Sequence, residues 1–239
     1  APLLPSHHHR RLPSAVMEAA TPVQSVTAWA RGAMLDVALE HIHDVFPQAC
    51  VEISVGARPV EDPESLLQRW AHSFSFLAHH TAALLPNEVL RPQTHTPKEA
   101  VALLSRLDIS RYTIHAPSRR ECGSHEELIR WTQSWFETAA ESGIDVRVET
   151  MYQPRSPRDA AVRHGYHLDT YDATARFADS MHALGWHTPL LVDLSHLLIG
   201  VTHGDWTDEQ VRSLTSSGLA DHFHLSSNDG TLGQHTSIT

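Results

Sequence analysis

Apolar and β-branched runs alternate with longer segments that have apolar residues at helical spacing, from about residue 23 onward. The segments with strand character are residues 23–30, 49–56, 74–80, 111–117, 145–151, 189–196 and 221–227. The segments with helical character are residues 33–46, 62–72, 97–107, 124–143, 170–185 and 207–218. The segment 23–30 is also compatible with the start of the helix that follows it. This alternation predicts βα units around a parallel sheet.

Several helix boundaries carry the residues that stop or start helices. Asp62 and Ser124 are typical N-caps, and Gly143 and Gly185 are typical helix stops. Seven βα repeats in one domain of this length favour a (β/α)8-type TIM barrel over an open doubly wound sheet, although the two folds share these local signals. Residues 81–96 form a connection too long for a plain loop and are predicted to border an active site.

The domain organisation follows from composition along the chain. No composition break divides residues 23–239, so we predict a single barrel domain there. Residues 1–22 contain the polar stretch "PSHHHRRLP" and are interpreted as a disordered leader or as sequence added to the natural chain. The histidines of that stretch therefore carry no predicted function.

Charge and cysteine content narrow the function. The net charge is −10, which gives no electrostatic attraction for nucleic acid or for an anionic membrane surface. The sequence has neither the apolar run of about 20 residues that a membrane helix needs nor a signal peptide, so we expect a cytoplasmic protein. Only Cys50 and Cys122 are present among the 239 residues, so a metal site has to use histidine and carboxylate ligands.

Ionisable residues recur at the C-terminal ends of the predicted strands, where a barrel places its active site. They are Glu52, His79, His80, His115, Glu149, Asp193, His196 and His224, with His235 in the loop after the last strand. A divalent cation would reconcile so many ionisable groups at one end of a sheet. The alternative is a set of surface histidines at the starts of loops. Asp193 and His196 share a side only if the strand ends at Asp193 and the chain turns there.

Four segments, "YTIHAP", "VRVETM", "LLVDLSHLLIG" and "DHFHLSSNDGTLGQH", resemble strand ends of the xylose-isomerase-like TIM barrel superfamily. That superfamily includes sugar epimerases, inosose dehydratase-like enzymes and apurinic endonucleases. The resemblance covers roughly residues 23–239. Its most specific part is the D-x-x-H of the sixth strand together with H-L-x-x-N-D-G-x-x-x-x-H at the seventh.

The resemblance implies a set of metal ligands. Glu149, Asp193 and His224 correspond to the ligands that the superfamily shares. Further ligands of members with two or three metals correspond to His115, His196, His235 and His80, with His79 as the competing choice for His80. His222 lies on the same strand face as His224 and competes with it, and the resemblance favours His224. Glu52 is interpreted as a structural residue.

The function implied is a divalent-metal-dependent isomerase or epimerase that acts on a sugar, a cyclitol or a similar polyhydroxylated small molecule. The ion would be Mn²⁺, Mg²⁺, Co²⁺, Zn²⁺ or Fe²⁺. Glu149 is the predicted base, and His196 or His235 would orient the substrate. The alternatives are a multinuclear metal oxidase or hydrolase on the same barrel, and a barrel that binds a ligand without catalysis. The sequence is compatible with a homo-oligomer and does not determine the oligomeric state.

Three positions depart from the superfamily pattern. Gly233 stands where the endonuclease branch has an aspartate ligand, and Lys98 is predicted at a helix start rather than at the site where xylose isomerase uses a lysine. The sequence ends at Thr239, before the eighth strand and its metal-binding glutamate. We therefore expect either that the natural chain continues or that the barrel is incomplete at the eighth strand and closed by another element.

Overall fold

The structure is a computed structural model, and it describes residues 25–29, 34–54, 62–79, 97–154 and 165–225. The strands are β1 (Ser25–Trp29), β2 (Cys50–Ser54), β3 (Ser75–His79), β4 (Arg111–His115), β5 (Asp145–Glu149), β6 (Leu190–Asp193) and β7 (Ala220–His224). The helices are α1 (Met34–Val45), α2 (Pro63–Trp70), α3 (Pro97–Arg106), α4 (His125–Glu141), α5 (Tyr171–Ala183), α6 (Leu194–His203) and α7 (Asp208–Ser216). The leader predicted at residues 1–22 lies outside the described residues.

The described strands form one parallel sheet of seven strands in the order β1 to β7, so each strand pairs with the next one along the chain. The sheet is curled. Glu52 of β2 and His224 of β7 are in contact at 2.7 Å, although five strand spacings separate their strands in the sheet. In a flat sheet that separation would be roughly 24 Å, because neighbouring strands lie about 4.8 Å apart. The predicted TIM barrel architecture is confirmed over these seven strands.

The two faces of the sheet differ in chemistry. Alternate residues of the strands join the helices in one hydrophobic core: Val51, Ile53, Phe76, Ala78, Tyr112, Ile114, Val146, Val148, Leu190 and Val192. The residues between them face the barrel interior, since side chains alternate along a strand. Near the C-terminal ends of the strands, the inward residues are Glu52, His79, His115, Glu149, Asp193 and His224. The alternation thus separates a helix-packed core from a polar interior.

The sixth unit differs from its prediction. β6 ends at Asp193, and α6 begins at the next residue, so the strand predicted over 189–196 is too long and the helix was missed. The run "LLIG" is apolar enough for a buried strand, which is why periodicity alone did not identify it as helical. Asp193 caps the helix: its Oδ1 accepts hydrogen bonds from the backbone N–H groups of Ser195 at 2.7 Å and His196 at 3.0 Å.

Trp206 fastens the end of α6 to the loop before α5. Its side chain is buried, and its indole N–H donates to the carbonyl oxygen of Asp169 at 3.1 Å. The ring lies directly against Gly200 of α6, where an added Cβ would be 2.4 Å from Trp206 Cδ1. The absence of a side chain at Gly200 therefore makes room for this ring.

An ionic network ties strands together at the N-terminal end of the barrel. Arg111 of β4 donates to Asp145 of β5 at 2.9 Å, and Arg147 also contacts Asp145. Arg147 reaches Asp221 of β7 through two bonds of 3.1 Å each. Burial alone would raise the pKa of Asp221, but the hydrogen bonds and charge of Arg147 outweigh it and lower that pKa.

The helix before β7 begins with a capping box. Thr207 Oγ1 accepts from the N–H of Gln210 at 3.2 Å, and Gln210 Oε1 accepts from the N–H of Thr207 at 2.9 Å. α7 then leads into β7, which carries His222 and His224.

In the described ranges, no helix has both the length and the apolar character needed to cross a bilayer.

Candidate metal centre

Glu149 is the centre of the polar cluster at the C-terminal end of the barrel. Its Oε2 accepts from Nε2 of His79 at 2.8 Å and lies 2.9 Å from Nε2 of His115. Its Oε1 faces the other way, 3.5 Å from Nδ1 of His224 and 3.8 Å from Nδ1 of His196. The two oxygens of one carboxylate therefore face two different groups of histidines.

Glu149 is held as an anion. Its side chain is only 1% exposed, and burial by itself would raise its pKa. The charges of His79 and His115 and the hydrogen bonds from His115 and His224 outweigh the burial and place the pKa of Glu149 well below its usual range. A buried carboxylate that stays ionised is a strong ligand for a cation and a weak base.

The two carboxylate oxygens of Asp193 have different roles: one caps a helix and the other faces the histidines of the cluster. Oδ1 caps α6, whereas Oδ2 lies 3.9 Å from Nε2 of His196 and 3.9 Å from Nδ1 of His224. The backbone N–H of Asp193 donates to Thr150 Oγ1 at 3.1 Å. The strand ends at Asp193 and the chain turns directly into a helix. For this reason Asp193 and His196, three residues apart, lie on the same side of the sheet, as the sequence analysis required for both to join one site.

A backbone carbonyl decides which nitrogen of His196 carries the proton. Nδ1 lies 2.8 Å from the carbonyl oxygen of Thr150. A carbonyl oxygen only accepts, so Nδ1 donates and the lone pair of the neutral ring is on Nε2. Tyr152 packs against the same ring, with centroids 5.0 Å apart. His196 is buried and oriented by these contacts.

His224 lies between carboxylates from opposite sides of the barrel. Nε2 is 2.7 Å from Oε2 of Glu52, and Nδ1 faces Glu149 and Asp193. Burial would lower the pKa of His224, but the bonds to Glu149 and Glu52 and their charges outweigh it and raise that pKa to about 10. At neutral pH the ring is therefore a cation between anions.

The donor atoms fit a divalent ion. One atom each from Glu149, Asp193 and His196 lie within 4.8 Å of one another, and the same holds for His79, Glu149 and His224. A third group of this kind is formed by Glu52, His222 and His224. Imidazole nitrogens with carboxylate oxygens suit Zn²⁺, Fe²⁺, Co²⁺ and Mn²⁺.

The structure brings together most of the residues that the sequence indicated. His115, Glu149, Asp193, His196 and His224 converge at one end of the barrel. His79, the competing choice, contacts Glu149 directly. His80 and His235 lie outside the described residues, so their roles remain predictions.

Glu52 is the residue whose involvement the sequence reasoning missed. It was interpreted as structural, yet its carboxylate contacts His224 from the opposite side of the barrel. A usable signal was present: Glu52 is the only charged residue within the apolar run "CVEIS", at a position whose neighbours Val51 and Ile53 face the helices. A charged residue on the inward face of a buried strand needs a partner inside the barrel.

No protein-family model matches the sequence, and the comparison with curated proteins also finds no match. Several solved structures are similar in fold. A D-tagatose 3-epimerase-like protein has a TM-score of 0.59 and 16% identity, over 88% of this chain and 78% of that chain. An L-ribulose 3-epimerase has a TM-score of 0.55 and 13% identity, over 84% and 69% of the two chains.

A third similar structure is the 3-keto-D-glucoside 4-epimerase from E. coli, with a TM-score of 0.54 and 12% identity, over 85% of this chain and 78% of that chain. Identities this low establish a common fold rather than a common activity. All three are xylose-isomerase-like TIM barrels, as the sequence motifs implied. The chain described here shares the TIM barrel fold of these three structures.

Proposed function

We propose that this protein is a divalent-metal-dependent isomerase or epimerase acting on a sugar, a cyclitol or a similar polyhydroxylated small molecule. The observation that carries the proposal is the convergence of Glu149, Asp193, His196 and His224 at the C-terminal end of the strands. The epimerases with the same fold support the substrate class. A small-molecule substrate is also consistent with the net charge of −10, which gives no general attraction for nucleic acid or for an anionic membrane surface.

Some residues of the centre are suited to bind the ion, and others are suited to handle a substrate proton. Glu149, Asp193 and His224 would bind the ion, and the ion would supply polarisation of a substrate carbonyl and its neighbouring hydroxyl. Glu149 was predicted as the base, but its low pKa favours the ligand role. His196 is better suited to accept or orient a substrate proton, because the Thr150 carbonyl fixes its lone pair on Nε2.

Asp193→Asn gives a sharp test of metal binding. The asparagine oxygen can still cap α6 in place of Oδ1, so the fold should be retained while a negative ligand is lost. We expect wild-type protein to bind Mn²⁺ or Co²⁺ in calorimetry and the variant to bind at least tenfold more weakly. A wild-type chain, first treated with chelator, that binds none of the five candidate ions would overturn the proposal.

Isomerase or epimerase activity has its own signature. The metal-loaded protein should exchange the hydrogen next to a ketose carbonyl with solvent deuterium, and proton NMR in D₂O detects this exchange. A panel of ketoses and keto-cyclitols covers the substrate class. Asp193→Asn should show little exchange at equal protein concentration, which separates enzyme catalysis from spontaneous exchange.

A second candidate function, a multinuclear oxidase or hydrolase, is favoured by one specific observation. His79 and His115 both approach Oε2 of Glu149, while His224 and His196 face Oε1. Residues on the two sides of Glu149 would hold one ion each, and a second ion would add a further Lewis acid at the site. The geometry is therefore compatible with two ions per chain.

Metal stoichiometry separates the two candidates. A mononuclear isomerase should bind one tight ion per chain, and His79→Gln should leave that ion bound. A dinuclear centre should bind two, and His79→Gln should reduce the count to one while also removing oxygen consumption or phosphodiester hydrolysis. Elemental analysis after gel filtration gives the count, and an oxygen electrode or a chromogenic phosphodiester gives the activity.

A further inference from the structure

Glu52 is a fully buried carboxylate that serves no evident purpose in the fold. Its side chain has no solvent exposure, and Oε2 contacts Nε2 of His224 at 2.7 Å. Its other oxygen, Oε1, has no hydrogen-bond partner among the residues that the structure describes. The inward face of β2 therefore carries a charge that only His224 compensates by a hydrogen bond within the described part of the chain.

Such a residue is costly for stability. Removing a carboxylate from water carries a penalty of several kcal/mol, and a buried ion pair often adds less to stability than well-packed apolar residues would. The neighbours of Glu52 along β2, Val51 and Ile53, show that the strand otherwise takes apolar side chains. The position is thus better explained by an effect of Glu52 on His224 than by stabilisation of the fold.

The effect on His224 follows from hydrogen-bond chemistry. Nε2 of His224 lies 2.7 Å from Oε2 of Glu52, and a carboxylate oxygen accepts the hydrogen bond. Nε2 of His224 must therefore donate to Glu52. Nδ1 is then the nitrogen that can give up its proton and bind a cation, and it is the nitrogen that lies 3.5 Å from Glu149 and 3.9 Å from Asp193.

We propose that Glu52 is a positioning residue that fixes the ring and tautomer of His224, so that Nδ1 is presented to the ion bound by Glu149 and Asp193. The inference rests on the proposed function, since it assigns a ligand atom of that centre. A carboxylate behind a histidine ligand both orients the ring and strengthens it as a donor. Removal of such a partner typically weakens metal binding by about 10- to 100-fold.

Two substitutions at this position separate positioning from structural support. Glu52→Met introduces an apolar side chain of similar length and removes the acceptor, whereas Glu52→Gln keeps an acceptor oxygen and removes the charge. We expect the Mn²⁺ dissociation constant to rise by about 10- to 100-fold in Glu52→Met and by less in Glu52→Gln. The thermal midpoint of Glu52→Gln in chelator should stay close to that of the wild type, because its amide oxygen can still accept from Nε2 of His224.

Thr113→Val is the matched control. Thr113 is a fully buried residue of β4 on the same interior face as His115, and its hydroxyl also has no hydrogen-bond partner within the described residues. Its dissociation constant for Mn²⁺ should stay within twofold of the wild type. An unchanged dissociation constant in Glu52→Met, or an equal weakening in Glu52→Met and Thr113→Val, would overturn the positioning role. If Glu52→Met does not fold, the same criteria apply to Glu52→Gln.

A spectroscopic readout keeps this inference separate from the proposed function. Long-range ¹H–¹⁵N spectra of histidine-labelled protein in chelator should show a protected Nε2–H of His224 in the wild type. Glu52→Met should lose that protected proton. If the wild type binds no metal but shows this proton, the proposed metal centre fails while the contact stands. If metal binds and the proton is absent, the positioning role fails.

Discussion

Single hydrogen bonds orient the side chains of the candidate centre. Oδ1 of Asp193 is committed to the cap of α6, which directs Oδ2 to the cluster. Nδ1 of His196 is committed to a backbone carbonyl, and Nε2 of His224 is committed to Glu52. Each residue therefore offers one defined atom to the centre, and the fold supplies the partner that selects it.

Gly200 provides a residue-scale prediction on stability. A Cβ at this position would lie 2.4 Å from Trp206 Cδ1, and the ring is buried and cannot move away freely. Gly200→Ala should lower the free energy of unfolding by about 1–3 kcal/mol, in spite of the better helix propensity of alanine. Urea unfolding followed by tryptophan fluorescence measures the loss. Thr202→Ala, an exposed change in the same helix, should stay within about 0.5 kcal/mol of the wild type.

Some residues of the centre could be predicted from the sequence, because each of them is the last residue of a strand whose position the hydrophobic pattern indicates. Glu149, Asp193 and His224 end strands that periodicity located well. The choice between His79 and His80 could not be made, because one residue of difference at a strand end reverses the side that a side chain faces. Glu52 could not be assigned, because its partner His224 is distant in sequence and only the curl of the sheet brings them together.

At the scale of the elements, boundaries rather than interiors determine the geometry. α6 starts directly after β6, with no loop between them, and that abrupt start brings His196 beside Asp193. The strand-helix alternation was evident from periodicity, whereas this junction was not, since its apolar residues suit either element. The helices with strong N-caps, such as α4 with Ser124, agreed with their predictions.

The capping box of α7 gives an element-scale prediction. Thr207→Ala removes the acceptor for the N–H of Gln210 and should cost about 1 kcal/mol of stability. Thr215→Ala is the control, since Thr215 belongs to the same helix and bonds only to helix carbonyls, and it should change stability by less than about 0.5 kcal/mol. Chemical denaturation of both variants decides the matter, and equal losses would contradict the role of the cap.

At the scale of the molecule, the two ends of the barrel have different tasks. The N-terminal end pairs Arg111, Asp145, Arg147 and Asp221 in an ionic network, and the C-terminal end gathers histidines around Glu149. Charge pairs at one end and ligand atoms at the other agree with the general division of TIM barrels into a stability face and a functional face.

The ionic network predicts how stability depends on pH. The pKa of Asp221 is lower in the folded state, so its contribution is present above the unfolded value of about 3.9 and is lost as pH falls through the folded value. Asp221→Asn, which leaves Arg147 and Arg111 in place, should be less stable than the wild type at pH 7. The difference should shrink as the pH falls from about 5 to about 3.

Urea midpoints at pH 7, 5, 4 and 3 measure this difference. Asp179→Asn, a change at an exposed position of α5, serves as the control and should follow the wild type at every pH. A stability gap between Asp221→Asn and the wild type that stays constant over this range would contradict the assigned role of the Asp221 carboxylate.

The contact between Glu52 and His224 also bears on how the chain folds. The two residues are 172 positions apart in sequence, so their bond closes a loop of that length. Contacts of such long sequence separation form late, because the loop they close is entropically expensive. Tight binding of an ion at this centre would consequently report that β7 has joined the sheet, and a nascent chain that has not yet folded β7 would lack it.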